Sequence, residues 1–331
     1  MDIGLTLTRS WQILWRNKFM WALGLLPGIT HMIGALLQHW LTDYVKQDIV
    51  PIFSGATPEE LLFTDELPFV QELAAEFFRG EFLIIGSIWL FLALVVFWLV
   101  FTLTEASIIA ATLHIDQGKP ITLKQSLSIG WKFVGKFIAI DALVFFPWFV
   151  VALSAMILAM IVLLGVVGMT TQNATMESMM GVMTIGFGCV SLLGCLLLPL
   201  GFLTMQFRTL AFRDTAVFGN SIRGSVKHTW QVVKSNIGSV IILIAVMWGI
   251  DYIFGFVLSL ITIPLGTVTA VSIFNDSSSI GSSFTNFLSL LIKLLLAIPK
   301  AMLFVYIGIA WTLAYLDLTK DDESNKETSG Q

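Results

Sequence analysis

Six long apolar runs limit the fold of this chain more than any motif in it. They extend from Phe19 to Trp40, Phe82 to Thr104, Phe137 to Met169, Gly181 to Phe207, Ile237 to Ile263 and Phe287 to Leu316. About 20 apolar residues are enough to cross ~30 Å of hydrocarbon as a helix. Inside hydrocarbon, every backbone donor and acceptor has to be satisfied by the segment itself, so runs of this length are expected as helices. A soluble alternative fails on composition. Hydrophobic residues make up 56% of the chain and charged residues 12%, against roughly 25% charged in ordinary soluble domains. The expected fold class is therefore all-α: a polytopic membrane protein with six transmembrane helices. Pro27, Pro147, Pro199 and Pro299 fall inside four of the runs, where proline is tolerated and predicts a kink.

Positive charge fixes the direction of the spans. Segment 1–18 carries Arg9, Arg16 and Lys18, and segment 105–136 carries Lys119, Lys124, Lys132 and Lys136. Segment 208–236 carries Arg208, Arg213, Arg223, Lys227 and Lys234, and the tail carries Lys320 and Lys326. With six alternating spans, all of these lie on one side. The other side has only Lys46 and Arg79, in the loop 41–81. Lys and Arg accumulate in cytoplasmic loops, so both termini are expected in the cytoplasm and the protein in the cytoplasmic (inner) membrane. The first run follows basic residues without a clear small-residue cleavage site, as a retained span does.

One short pattern is written three times: Thr6 to Leu14, Ser126 to Val134 and Ser225 to Val233. Each copy has a hydroxyl residue five positions before a Trp (Trp11, Trp131, Trp230) and leads into an apolar run. Apolar residues recur at helical spacing around each Trp, as Ile3, Leu7, Trp11 and Leu14 do in the first copy. Lys and Arg occupy the other face, and a helix of this kind lies in the membrane interface. The three Trp side chains are expected to act as interfacial anchors directed at the apolar layer. A second signature ends the even-numbered spans: His114-Ile115-Asp116, Phe212-Arg213-Asp214 and Tyr315-Leu316-Asp317. An anionic group at a helix C-terminus is unfavourable without a partner. Asp116, Asp214 and Asp317 are each expected to cap the next interfacial helix or to pair with its basic face. The chain then divides into three parallel two-span repeats, each preceded by an interfacial amphipathic helix. These are 1–118 with an acidic outer loop 41–81, 119–216 and 217–317, followed by a disordered cytoplasmic tail 318–331.

Little in the chain points to catalysis. His31, His39, His114 and His228 form no metal-spaced cluster with Cys or carboxylates, and no phosphate loop or nucleophile elbow is present. Cys189 and Cys195 share one apolar run and read as small buried hydrophobes. No enzyme activity, cofactor or metal is expected. Nucleic acid is not expected as a partner either, because the basic residues are spread through interfacial helices, where anionic lipid head groups explain them.

The charges inside spans are the candidate site. Asp251 lies about 21 Å into the fifth run and Lys300 about 24 Å from the end of the sixth, at 1.5 Å per residue. The two runs are antiparallel, so the depths match. Intramembrane charges are costly, usually paired and commonly functional. Asp251 and Lys300 read either as a pair joining two spans or as a substrate or proton site. Asp141 reads as a local ion pair, Lys293 as a snorkelling residue and His31 as a packing residue. The loop 41–81 holds nine acidic residues against two basic ones, which suits a solvated cap, a partner-binding surface or a cation-attracting mouth.

The combination of a Trp-bearing interfacial helix, two spans and an aromatic-x-Asp exit, in several copies, resembles the membrane domain found beside bacterial glycerophosphodiester phosphodiesterases and its stand-alone relatives. The likeness rests on Ser126 to Val134, Thr209 to Asp214, Ser225 to Val233 and Thr312 to Asp317. It implies a membrane module with no assigned activity, because the chain lacks room for the soluble barrel that performs the family's hydrolysis. The expected function is a non-enzymatic membrane module that binds lipid, or a protein partner through the outer loop. The alternative is a transporter or channel built around Asp251 and Lys300.

Overall fold

The computed structural model describes residues 2–28, 80–170, 176–274 and 279–329, and for parts of these the backbone alone. The loop 41–79, His31, His39 and the side chains of Lys293 and Cys189 lie outside the described residues. The described chain is all helix: α1 (Ile3–Arg16), α2 (Phe19–Gly28), α3 (Gly80–Asp116), α4 (Leu123–Thr170), α5 (Met176–Phe218), α6 (Ile222–Ser235), α7 (Ile237–Phe274) and α8 (Ser279–Ser329). Four segments are long and apolar enough to cross a membrane: Phe91–Asp116, Leu123–Ala155, Ile237–Leu260 and Leu294–Lys320. Pro147, Pro199 and Pro299 lie within α4, α5 and α8.

Local chemistry sets where the helices begin and end. The Asp2 carboxylate accepts from Leu5 N at 3.1 Å, and Ser221 Oγ accepts from Gly224 N at 3.3 Å; both are N-caps, of α1 and α6. At the head of α4, Thr122 N donates to Gln125 Oε1 at 2.9 Å and Gln125 N to Thr122 Oγ1 at 3.4 Å, a reciprocal capping box. Left-handed glycines follow two of the exits, Gly118 (φ 72°) after α3 and Gly219 (φ 66°) after α5, a conformation that costs glycine little.

The three Trp-bearing segments part company at one position. Asn17 and Asn236 each lie six residues after their Trp and end α1 and α6. The backbone N–H of each returns to the carbonyl of Ile13 or Val232, and each side-chain amide donates to that same carbonyl, at 2.9 and 3.2 Å. The corresponding residue in the second copy is Phe137, which is fully buried and stacks on Phe212 at 4.0 Å. With no polar side chain to bond the backbone, α4 continues unbroken into its span. α1 and α6 are thus separate short helices, whereas the second copy is continuous with its span and does not form the separate helix expected of it.

Three apolar clusters hold the bundle. Ile13, Leu14, Met20 and Leu23 of α1 and α2 pack on Ile108 of α3 and on Val305 and Ile309 of α8. Phe137 and Ile140 of α4 pack between Ala106 and Ile109 of α3 and Ala211 and Phe212 of α5. Val232 of α6 and Leu243 and Met247 of α7 pack on Leu210 of α5 and on Ala310, Trp311 and Ala314 of α8. The helices that carry the exit acids, α3, α5 and α8, thus each join two clusters and touch one another. Close approach is built in: a Cβ on Gly130 of α4 would lie 2.8 Å from Ser107 N of α3. The tail departs from expectation. α8 runs to Ser329, because Leu318 and Thr319 are buried and Thr319 Oγ1 donates to Tyr315 O at 3.2 Å, with no Gly or Pro to stop the helix there.

Candidate functional site

The most concentrated polar chemistry among the described residues is a buried cluster of four charges: Glu105 of α3, Asp141 of α4, and Arg208 and Arg213 of α5. Arg208 is its centre. Its Nε and Nη2 both donate to the Asp141 carboxylate, the latter at 3.2 Å, and its Nη1 donates to Glu105 Oε2 at 3.1 Å. The guanidinium also lies over the Phe212 ring, 4.2 Å from its centroid, a favourable contact for a desolvated cation. Trp98 Nε1 donates to Asp141 Oδ2 at 2.8 Å, so this carboxylate accepts three hydrogen bonds. Arg213 Nη1 donates to Glu105 Oε1 at 3.4 Å and to Thr209 O, and its Nη2 donates to Gly308 O of α8 at 3.4 Å.

Two cations face two anions, and every member is desolvated. Such an arrangement is tolerable only when each charge has a partner with good geometry. The planar five-donor fork of Arg suits this better than Lys would, because one side chain can serve two carboxylates at once. The cluster ties α3, α4, α5 and α8 together at one level.

Closer to the helix ends lie the exit acids. Asp116 forms an ion pair with Arg9 of α1. Asp214 is fully buried and accepts from Tyr315 OH of α8 at 2.6 Å, from Asn220 Nδ2 at 3.3 Å and from His228 Nδ1 of α6. Asp317 accepts from Thr6 Oγ1 of α1 at 3.2 Å. All three acids thus meet a Trp-bearing helix through its side chains, and none caps an N-terminus. Asp214 meets the helix that follows it. Asp116 and Asp317 both meet α1.

Trp11, Trp131 and Trp230 are 50%, 63% and 61% exposed. Beside the apolar Ile13, Leu14, Val134 and Val232, the buried side of each segment carries small, mostly hydroxyl-bearing residues: Thr6 and Ser10, Ser126 and Gly130, Ser225 and Thr229. Ser126 Oγ, for example, donates to Ser107 O of α3 at 2.7 Å. The helices dock through their hydroxyl face and leave the Trp outside.

Asp251 and Lys300 are both exposed. Among the described residues neither makes an ion pair. Asp141, by contrast, pairs with a residue 67 positions away and not locally. Sequence reasoning missed Glu105 because the second span was ended at Thr104, and it used Arg208 and Arg213 only as markers of topology. The usable signal was an acid lying within the apolar helix Phe91–Asp116. Comparison with family models, with curated proteins and with solved structures finds no match.

Proposed function

We propose that the chain is a non-enzymatic membrane module of six spans in three parallel two-span units. It lies in the cytoplasmic membrane with both termini in the cytoplasm, and it binds anionic lipid through its three Trp-bearing segments. The observation that carries this reading is their shared exposure pattern. Each keeps a small face buried and turns outward a Trp together with basic residues: Arg9 and Arg16, Lys124 and Lys132, Arg223 and Lys227. Trp favours the head-group level, and basic side chains there attract anionic lipid by about 1 kcal/mol each. The resemblance to the membrane domain associated with glycerophosphodiester phosphodiesterases belongs to the same proposal, as does a protein partner for the acidic loop 41–81.

The test is native mass spectrometry of the purified chain with phosphatidylglycerol or phosphatidylcholine added back. Phosphatidylglycerol should be retained in preference, and changing Lys124, Lys132, Arg223 and Lys227 to Gln should erase the preference. Equal retention of the two lipids by the unaltered chain overturns the reading. A second reading, a transporter or channel, is favoured by the unpaired exposure of Asp251 and Lys300 at matching depth. Solute flux in proteoliposomes that is abolished by Asp251→Asn would establish it.

A further inference from the structure

Two stripes that close on each other near the exit acids come apart farther along α7 and α8. Val240 and Met247 of α7 pack on Trp311, Ala314 and Leu318 of α8, with Ile307 against them. Asp251 continues the first stripe, one turn after Met247 and two turns before Leu258, both of which are buried. Lys300 continues the second, two turns before Ile307. Yet both charged residues are exposed. The stripes are thus open at this level, inside two segments apolar enough to span a membrane, Ile237–Leu260 and Leu294–Lys320.

The two charges share one opening. Ile250 and Phe254 line a groove together with Pro299, Met302 and Leu303, so 250–254 and 299–303 run side by side. That groove lies on the side of α1, which adds Trp11. Asp251 and Lys300 turn to the other side. Trp248, about one turn before Asp251, meets Phe202 of α5 edge-on at 6.2 Å. Phe304, one turn after Lys300, lies 5.4 Å from Phe101 of α3. Residues three and four apart share a helix face, so both charges point toward α3 and α5, into the bundle. Toward the exit acids the opening ends at the four-charge cluster, because Phe101 lies under the Arg208 guanidinium at 5.9 Å.

In that cluster every charge has a partner. In the opening an ammonium and a carboxylate stand in one layer and, among the described residues, neither makes an ion pair. Intramembrane charges are costly unless they are paired or face a water-filled cavity. A lone cation or a lone anion would satisfy one of the two and leave the other. A molecule that carries both an ammonium and a carboxylate satisfies both. The axes of neighbouring helices lie about 8–10 Å apart, a span that a short carbon chain covers. We propose that Asp251 and Lys300 form a binding site for a small zwitterion, its ammonium against the Asp251 carboxylate and its carboxylate against the Lys300 ammonium. The inference rests on the second reading above and deepens it by naming the substrate class.

The experiment uses the purified whole chain and the series of ω-amino acids from glycine to 6-aminohexanoate. A ligand that binds only the folded chain raises its unfolding temperature. At least one chain length should do so saturably, whereas butylamine and butyrate, which each lack one charge, should not. Asp251→Asn and Lys300→Met should each raise the half-saturating concentration about tenfold or more, the loss expected for one charge-assisted contact. Exchanging the charges, Asp251→Lys with Lys300→Asp, should restore binding, because the ligand can reverse. The opening has its own check. In a chain with Cys189→Ser and Cys195→Ser, Asp251→Cys and Lys300→Cys should each react with a water-soluble methanethiosulfonate. No reaction at either position means that the charges face lipid, and it overturns the proposal. The absence of any shift across the series does the same. Butylamine that binds as tightly as the best zwitterion would make this a cation site and overturn the substrate class alone. Solute flux blocked by Asp251→Asn with no zwitterion bound would leave the second reading standing without this one. Zwitterion binding without flux would keep the site and remove transport.

Discussion

At the scale of single residues, the four buried charges dominate the energetics. Truncating one member of a buried ion pair leaves an uncompensated charge and costs about 3–5 kcal/mol, whereas replacing a matched pair by apolar groups can be nearly neutral. Arg208→Met strands Asp141 and leaves Glu105 to Arg213 alone, so it should lower thermal stability in detergent by about that amount. Adding Asp141→Asn, which leaves Glu105 paired with Arg213, should recover much of the loss. An Arg208→Met chain that unfolds at the unaltered temperature would show that the cluster contributes nothing. Asp251 and Lys300 make the opposite case. Exposed within spans and without an ion-pair partner to strand, each is costly where it stands, so Asp251→Asn or Lys300→Met should leave the unfolding temperature unchanged or raise it. The sequence made Asp251 and Lys300 conspicuous because each interrupts a long apolar run. It hid Glu105 because hydropathy falls gradually near a helix end, and an acid there looks like the start of a loop. Which charges meet depends on helix rotation and packing between residues 67 to 108 positions apart, for example Asp141 with Arg208 and Glu105 with Arg213, and no local pattern encodes that.

At the scale of elements, caps and close approaches decide how each helix sits. The helical nature of the long apolar runs was legible from their length and composition, whereas the N-caps Asp2 and Ser221 and the capping box Thr122–Gln125 emerged only with the structure. The break after α1 and α6, and its absence after the second copy, turned on one residue per copy: Asn17 and Asn236 against Phe137. Asn236→Ala removes the amide bond to Val232 O, and the loss of one such bond is worth about 0.5–1.5 kcal/mol. The docking of α4 on α3 is more demanding. Gly130→Val places a branched side chain against the Ser107 backbone, and overpacking of this kind costs about 1–3 kcal/mol. Thermal unfolding should show a clear drop for Gly130→Val and none for Gly135→Ala, where a Cβ meets nothing within 4 Å. The face that buries was harder to foresee. Hydropathy ranks Trp above Ser, yet the small hydroxyl residues allow backbones to approach closely, as at membrane helix interfaces generally. The Trp side chains are too large for those contacts and remain outside.

At the scale of the whole molecule, charge asymmetry and packing make separate predictions. A single cysteine at residue 118 should react with an impermeant reagent only from the cytoplasmic side, and one at residue 60 only from the outside, as the distribution of Lys and Arg requires. The reverse pattern would invert the protein. Packing adds something the linear order hides: the first helix leans on the last. Thr6 reaches Asp317 across 311 positions, and Tyr306 reaches Leu7. The protein is therefore closed on itself without a covalent bond, and its order of synthesis is one of several that describe the same object. Domains with adjacent ends accept circular permutation at exposed turns, and Gly118 and Gly219 lie in such turns. A gene beginning at Lys119, with Lys320 joined through a short polar linker to Asp2 and ending at Gly118, should insert with both new ends in the cytoplasm. Its unfolding temperature should lie near that of the parent. Failure of that permutant while the parent linker variant folds would show that α1 has to be made first, before there is any α8 for it to rest on.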